Sequence, residues 1–204
     1  MKLPAIALAV LALTVVQATA ASVSKTYSYF SIGGRTLEEL EIELSKRGPQ
    51  LNGTGNRHPG ATRMEFTSKI TYGEKGGWCR IADARVTVKA NMILPRWRQR
   101  TKAERDVQLI WDTLASDIKR HEESHIVIAK NHAREIEQSL KALPRKRDCK
   151  AVSVEVKKTT AAILARHDAA QLRFDRIESK GFEKRMMRLL EYRLQQIEAG
   201  RIPG

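Results

Sequence analysis

Residues 119–137 read KRHEESHIVIAKNHAREIE, and how His121-Glu122-Glu123-Ser124-His125 is read decides the fold and the chemistry together. Histidines four apart stand on the same side of a helix, one turn from each other. That spacing lets both imidazoles reach one zinc ion, while Glu122, displaced by about 100°, can face a water beside the metal. The bland alternative is a pair of satisfied core histidines with a solvated glutamate. Leu114, Ile118, His121, His125 and Ile128 form one continuous stripe, so two histidines replace apolar residues on the face expected to be buried. A buried polar group needs a partner, and a metal supplies one for both.

The flanks agree with a helix. From Ala103 to Leu143 there is no Pro or Gly, and Trp111, Leu114, Ile118, Ile128, Ile136 and Leu140 keep one face at helical period. His132 follows His121 at nearly the spacing of a metzincin third histidine, but the glycine turn of that pattern is missing. In an unbroken helix it lies about 10 Å along the axis from His125, beyond a shared ion. The third ligand of a catalytic zinc must then come from another element, and Asp168, Asp175, Glu178 and Glu183 are the downstream candidates.

Upstream, KTYSYFSIG (25–33) reads as a strand. Thr36 and Glu39 have capping-box spacing before a short apolar-faced helix that ends at Gly48-Pro49. Residues 50–62 are dense in Gly, Asn and Pro and predict a loop, with His58 solvated in it. MEFTSKITY and CRIADARVTVKANMIL alternate around GEKGG, the pattern of an antiparallel hairpin. Downstream, a second helical region runs from about Ala151 to Ala199, with a weak point near Gly181. Strands first and helices later predict an α+β fold: an N-terminal antiparallel sheet with a short helix, then the long HExxH helix and C-terminal helices, in a zincin-like arrangement.

MKLPAIALAVLALTVVQATA (1–20) has the form of a secretory signal peptide, with cleavage expected after Ala20. This predicts a periplasmic or secreted protein, divided into the signal peptide at 1–20, an HExxH protease-like domain at 21–148 and a C-terminal helical region at 149–204 that packs on or extends it. Export exposes Cys79 and Cys149 to an oxidising compartment, which favours a disulfide over two free buried thiols. The net charge of +14 is that of a solvated basic surface or of one that meets anionic partners. Export removes nucleic acid from those partners and leaves peripheral contact with an anionic envelope surface. The C-terminal stretch KGFEKRMMRLLEYRLQQIEAGR is expected to pack its apolar side on the core or on another copy, with a membrane-surface helix as the alternative.

YFSIGGRTLEELEIELSKRGP, GWCR, ILPRW, LIWDTLASDIKRHEESHIVIAKNHAREIE and a later DC occur in an order and spacing that resemble the bacterial family of predicted secreted zinc-dependent proteases, a domain of unknown function. The resemblance spans about residues 27–181. It implies Zn2+ as cofactor, His121 and His125 as ligands, Glu122 as catalytic base, and a Cys79–Cys149 disulfide. The family continues to an aromatic-Asp segment ending in Thr-x-His-Gly, where this chain has FDRIESKG. Phe174, Asp175 and Gly181 match, which makes Asp175 the expected third ligand with Glu178 behind it. Glu178 stands for the threonine and Lys180 for the histidine. The expected function is therefore a zinc metallopeptidase acting on peptide or protein substrates; the alternative is a degenerate, non-catalytic envelope binding protein with or without zinc.

Overall fold

The computed structural model describes residues 21–50 and 57–203. The signal-peptide reading of 1–20 and, at 51–56, part of the loop predicted over 50–62 lie outside the described residues. Strand β1 (Ser22–Ile32), helix α1 (Leu37–Arg47), strands β2 (Ala61–Lys75) and β3 (Trp78–Trp97), and helices α2 (Arg105–Lys141), α3 (Cys149–Lys180) and α4 (Phe182–Glu198) follow in order, with a short 3-10 turn at Arg100–Lys102. The fold is mixed α+β.

β2 and β3 are the expected antiparallel hairpin, in which Lys75 pairs with Trp78 across a two-residue turn. Gly76 and Gly77 both have positive φ, as the tightest hairpin turns require. β3 turns Cys79 and Ile81 inward, then Ala84, Val86, Val88, Ala90, Met92 and Leu94. The alternation slips one residue after Ile81, where the register with β2 also shifts; a bulge absorbs the extra residue and keeps the apolar set on one face.

The sheet corrects one expectation. Its strand order is β1-β3-β2, and β1 runs parallel to β3, so the sheet is mixed and not antiparallel. Parallel neighbours need a long crossover, and the chain from α1 through β2 supplies it.

α2 and α3 cover the face to which β3 turns its apolar residues. Ile81, Val86 and Val88 pack with Ala129, Ala133, Ile136 and Leu140 of α2 and with Val152, Val156 and Ile163 of α3 in one cluster. Farther along α2, Ile118 and Ile126 meet Ala90, Met92 and Leu94, and Trp111 meets Ile32, Leu40 and Trp97. The carboxylate of Glu137, buried in this face, accepts the N–H of Val86 at 2.7 Å, just before β1 begins to pair at Thr87.

α1 starts with the predicted capping box: Thr36 Oγ1 accepts the Glu39 N–H, and the Glu39 carboxylate accepts the Thr36 N–H. α4 buries Met186 and is held to α2 by ions: Arg185 donates to Asp117 at 3.1 Å and Arg193 to Asp112 at 3.2 Å. Met187, Tyr192 and Leu194 on α4 stay exposed. Cys79 and Cys149 form a disulfide that ties the start of α3 to the start of β3, as an oxidising compartment allows. Among the described residues no helix is long and apolar enough to cross a membrane. Trp78, half-buried at the start of β3, lies beneath the guanidinium groups of Arg145 and Arg147.

Candidate metal centre

α2 and α3 form an antiparallel pair whose facing side chains change character along their length. Near the loop the contact is aliphatic, with Leu140 and Ile136 against Val152 and Val156. Farther along, α3 turns His167, Gln171, Asp175 and Glu178 towards α2, the spacing of one helical face. Opposite them stand His125 and His121.

There the Nε2 atoms of His121 and His125 lie 3.1 Å apart. The Asp175 Oδ1 atom is 3.2 Å from the first and 3.1 Å from the second. A tetrahedral zinc with bonds of about 2.0–2.1 Å puts neighbouring ligand atoms about 3.3 Å apart, so the three atoms outline one face of such a site. Asp175 Oδ1 is also the one buried side-chain nitrogen or oxygen among the described residues with no hydrogen-bond partner. Both imidazoles stand within ion-pair distance of it. Two imidazole nitrogens and a carboxylate oxygen that converge in this way could hold a metal ion, and their types and spacing fit zinc.

Electrostatics follow from the same packing. Burial alone would raise the Asp175 carboxyl, but the two imidazoles outweigh it and hold it well below the usual carboxylate range. Burial pulls the His125 imidazole down, and Asp175 and Gln171 more than compensate, so the net shift is upward. The aromatic ring of Phe174 lies 4.9 Å from the His121 ring and 5.1 Å from that of His125, which limits how far either imidazole can swing.

Glu122 differs from the sequence expectation. The fully buried stripe of α2 passes through Ile118, Glu122, Ile126, Ala129 and Ala133, so the histidines flank that stripe and Glu122 lies on it. His121 and His125 keep 26% and 12% of their side-chain surface, and Ile128 is half-buried. Burial pushes the Glu122 carboxyl up, against the lowering effect of Thr62, whose hydroxyl donates to it at 2.8 Å. A buried carboxylate with a raised pKa beside a metal site is suited to taking and returning a proton.

Of the other acidic candidates, Glu178 faces the back of His121, its Oε2 3.7 Å from Nδ1, while bound to Arg120 and Arg185. Burial opposes ionisation of Glu178, and these guanidiniums outweigh it and lower the carboxyl. Asp168 is exposed and accepts from His167, and Glu183 is exposed on α4; neither joins the cluster. His132 donates back to the Ile128 carbonyl at 2.9 Å. A second grouping of Glu74, Cys79 and Cys149 contains the disulfide, so its sulfurs are not available to a metal.

The three converging groups lie in a cleft of about 1240 Å³. α2 forms its floor, Leu37, Leu40 and Leu44 of α1 one wall, and Leu172 and Phe182 the other; His58, Gly60, Thr62 and Met64 close a third side. Sequence reading did not select Gln171, His167, Thr62 or Gly60. Gln171 had one legible signal, a position four before Asp175 on the same helix face; Thr62 and Gly60 had none, since only strand β2 and the loop before it bring them to α2.

A family model described as a bacterial protein of unknown function, DUF922, matches residues 27–181. No curated protein matches, and no solved structure matches.

Proposed function

We infer that this chain, which belongs to the DUF922 family of bacterial proteins, is an exported zinc-dependent metallopeptidase with a zincin-like site. The observation that carries this reading is the triangle of His121 Nε2, His125 Nε2 and Asp175 Oδ1, with sides of 3.1 to 3.2 Å, around an oxygen that has no other partner. His121, His125 and Asp175 would hold the ion. When bound, zinc supplies Lewis acidity, which makes water a nucleophile at neutral pH and polarises a carbonyl oxygen.

The remaining work belongs to the chain. Glu122 accepts a proton from water and returns it to the leaving amine nitrogen, a role that its raised pKa favours. Thr62 holds one Glu122 oxygen at 2.8 Å and so limits rotation of the carboxylate. β2 is an edge strand, and its Thr62 and Met64 line the cleft; an extended peptide that pairs along this edge runs past the histidines. The apolar walls from α1, Leu172 and Phe182 accommodate apolar side chains of the substrate.

A second reading, a non-catalytic envelope binding protein, draws on Lys180. It is exposed at the end of α3 and brings no imidazole to the cleft, where the resembling family carries a histidine. Elemental analysis of the protein purified without a histidine tag tests the metal: about one zinc per chain, lost in His121→Ala, is expected. Glu122→Gln should then keep the zinc and lose peptide hydrolysis by about 10²–10⁴-fold. Zinc in the wild type without hydrolysis of any peptide library would favour the binding protein, and no zinc at all would overturn the peptidase and leave a binding protein without a metal.

A further inference from the structure

We propose that Gln171 sets the tautomer of His125, placing its proton on Nδ1 and its Nε2 lone pair towards His121 and Asp175, and that His167 sets Gln171 in turn. The inference deepens the metal-centre reading and rests on it for its consequence, though not for its geometry.

The side-chain amide of Gln171 has two ends, and its surroundings choose between them. One end lies 3.1 Å from the carbonyl oxygen of His125. A carbonyl only accepts, so this end is the NH2 group. The amide oxygen is then the atom 2.6 Å from His125 Nδ1. An amide oxygen only accepts, so Nδ1 carries the hydrogen and Nε2 the lone pair of the neutral ring. Gln171 thus grips the same residue twice, once at the backbone and once at the ring.

The second hydrogen of the NH2 group meets Nε2 of His167 at 2.8 Å, which must accept. The His167 proton is therefore on Nδ1, where it is donated to Asp168 Oδ1 at 2.9 Å. Each link forces the next, from Asp168 through His167 and Gln171 to His125. His167 is itself buried, and its ring is packed edge-on against Phe66 at 5.0 Å and His132 at 5.5 Å. His121 has no equivalent grip, because Glu178 stands 3.7 Å from its Nδ1, beyond hydrogen-bond length. Of the two histidines, His125 is the one whose orientation is fixed from behind. Partners of this kind usually change metal affinity by about 10–100-fold when removed, which makes Gln171 a positioning residue of the site.

Two measurements test this. Nitrogen-15 NMR of the histidine rings in metal-free wild type at alkaline pH should show His125 as the Nδ1–H tautomer; the Nε2–H tautomer would overturn the proposal. Zinc affinity, by competition with a chelator, should fall about 10–100-fold in Gln171→Met, with a changed visible spectrum of the cobalt-substituted protein. Gln171→Glu keeps an oxygen to accept the Nδ1–H but loses the NH2 donor to the His125 carbonyl and to His167, so its affinity should lie between those of wild type and Gln171→Met. Equal affinity and an unchanged cobalt spectrum in Gln171→Met would overturn the proposal while leaving the metal centre intact. A wild type that takes up no zinc would remove the metal centre, and the NMR result would still decide the tautomer.

Discussion

Gly60 leaves the room that Glu122 occupies. A Cβ at this position would come within 2.7 Å of Ile118 Cγ2 and 3.0 Å of Glu122 Oε1, closer than side-chain carbons approach. Gly60→Ala should therefore cost about 1–3 kcal/mol by overpacking, read from denaturant midpoints, and should displace Glu122. If hydrolysis is carried by that carboxylate, kcat should drop in Gly60→Ala even where the fold survives. His167 supports a prediction about pH. Burial lowers its pKa below the ordinary value, with Asp168 opposing, so the folded ring stays neutral where the unfolded ring has begun to protonate. The unfolded state then binds more protons, and stability falls as pH drops below about 6.5 towards the folded pKa. Melting temperatures from pH 7.5 to 5, taken with chelator present, should fall more steeply in wild type than in His167→Gln; parallel curves would remove this contribution. Neither Gly60 nor His167 was marked by the sequence, because what each does depends on a neighbour in another element.

α1 shows what local signals determine. Its capping box was legible from Thr36 and Glu39 alone, since both partners lie within one turn, and the structure forms it. Thr36→Ala should destabilise by about 1 kcal/mol, seen as a lower urea midpoint with an unchanged slope. Because α1 contributes a cleft wall and none of the three converging atoms, zinc affinity should not move with it. α2 was legible for a similar reason: its expected span, Ala103 to Leu143, differs from the observed Arg105–Lys141 only at the frayed ends. The face it buries was less legible. His125 and Ile126 are adjacent, and a stripe drawn through one or the other differs by a single step of about 100°; contact with Met92 and Leu94 of β3 selects Ile126.

At the scale of the molecule the disulfide and the centre sit far apart along α3. Cys149 opens that helix, whereas Gln171, Asp175 and Glu178 lie in its last third. A bridge between residues 70 apart stabilises by about 4 kcal/mol on the loop-entropy account. Reduction should lower the melting temperature and leave zinc stoichiometry unchanged, because the aliphatic contacts of α3 with α2 and β3 persist without it. Loss of zinc on reduction would show instead that the disulfide holds the register of the two helices. The sequence by itself determined the helices and strands, the cap of α1, the glycine turn of the hairpin and the spacing that places His121 and His125 on one side of a helix, all set by interactions within a few residues. Only the tertiary structure decided that β1 lies parallel to β3, that Glu178 stands behind His121 while Asp175 stands before it, and that Gln171 reaches His125. Those outcomes depend on the register between elements about 45 to 65 residues apart along the chain, and no periodicity within either element carries that register.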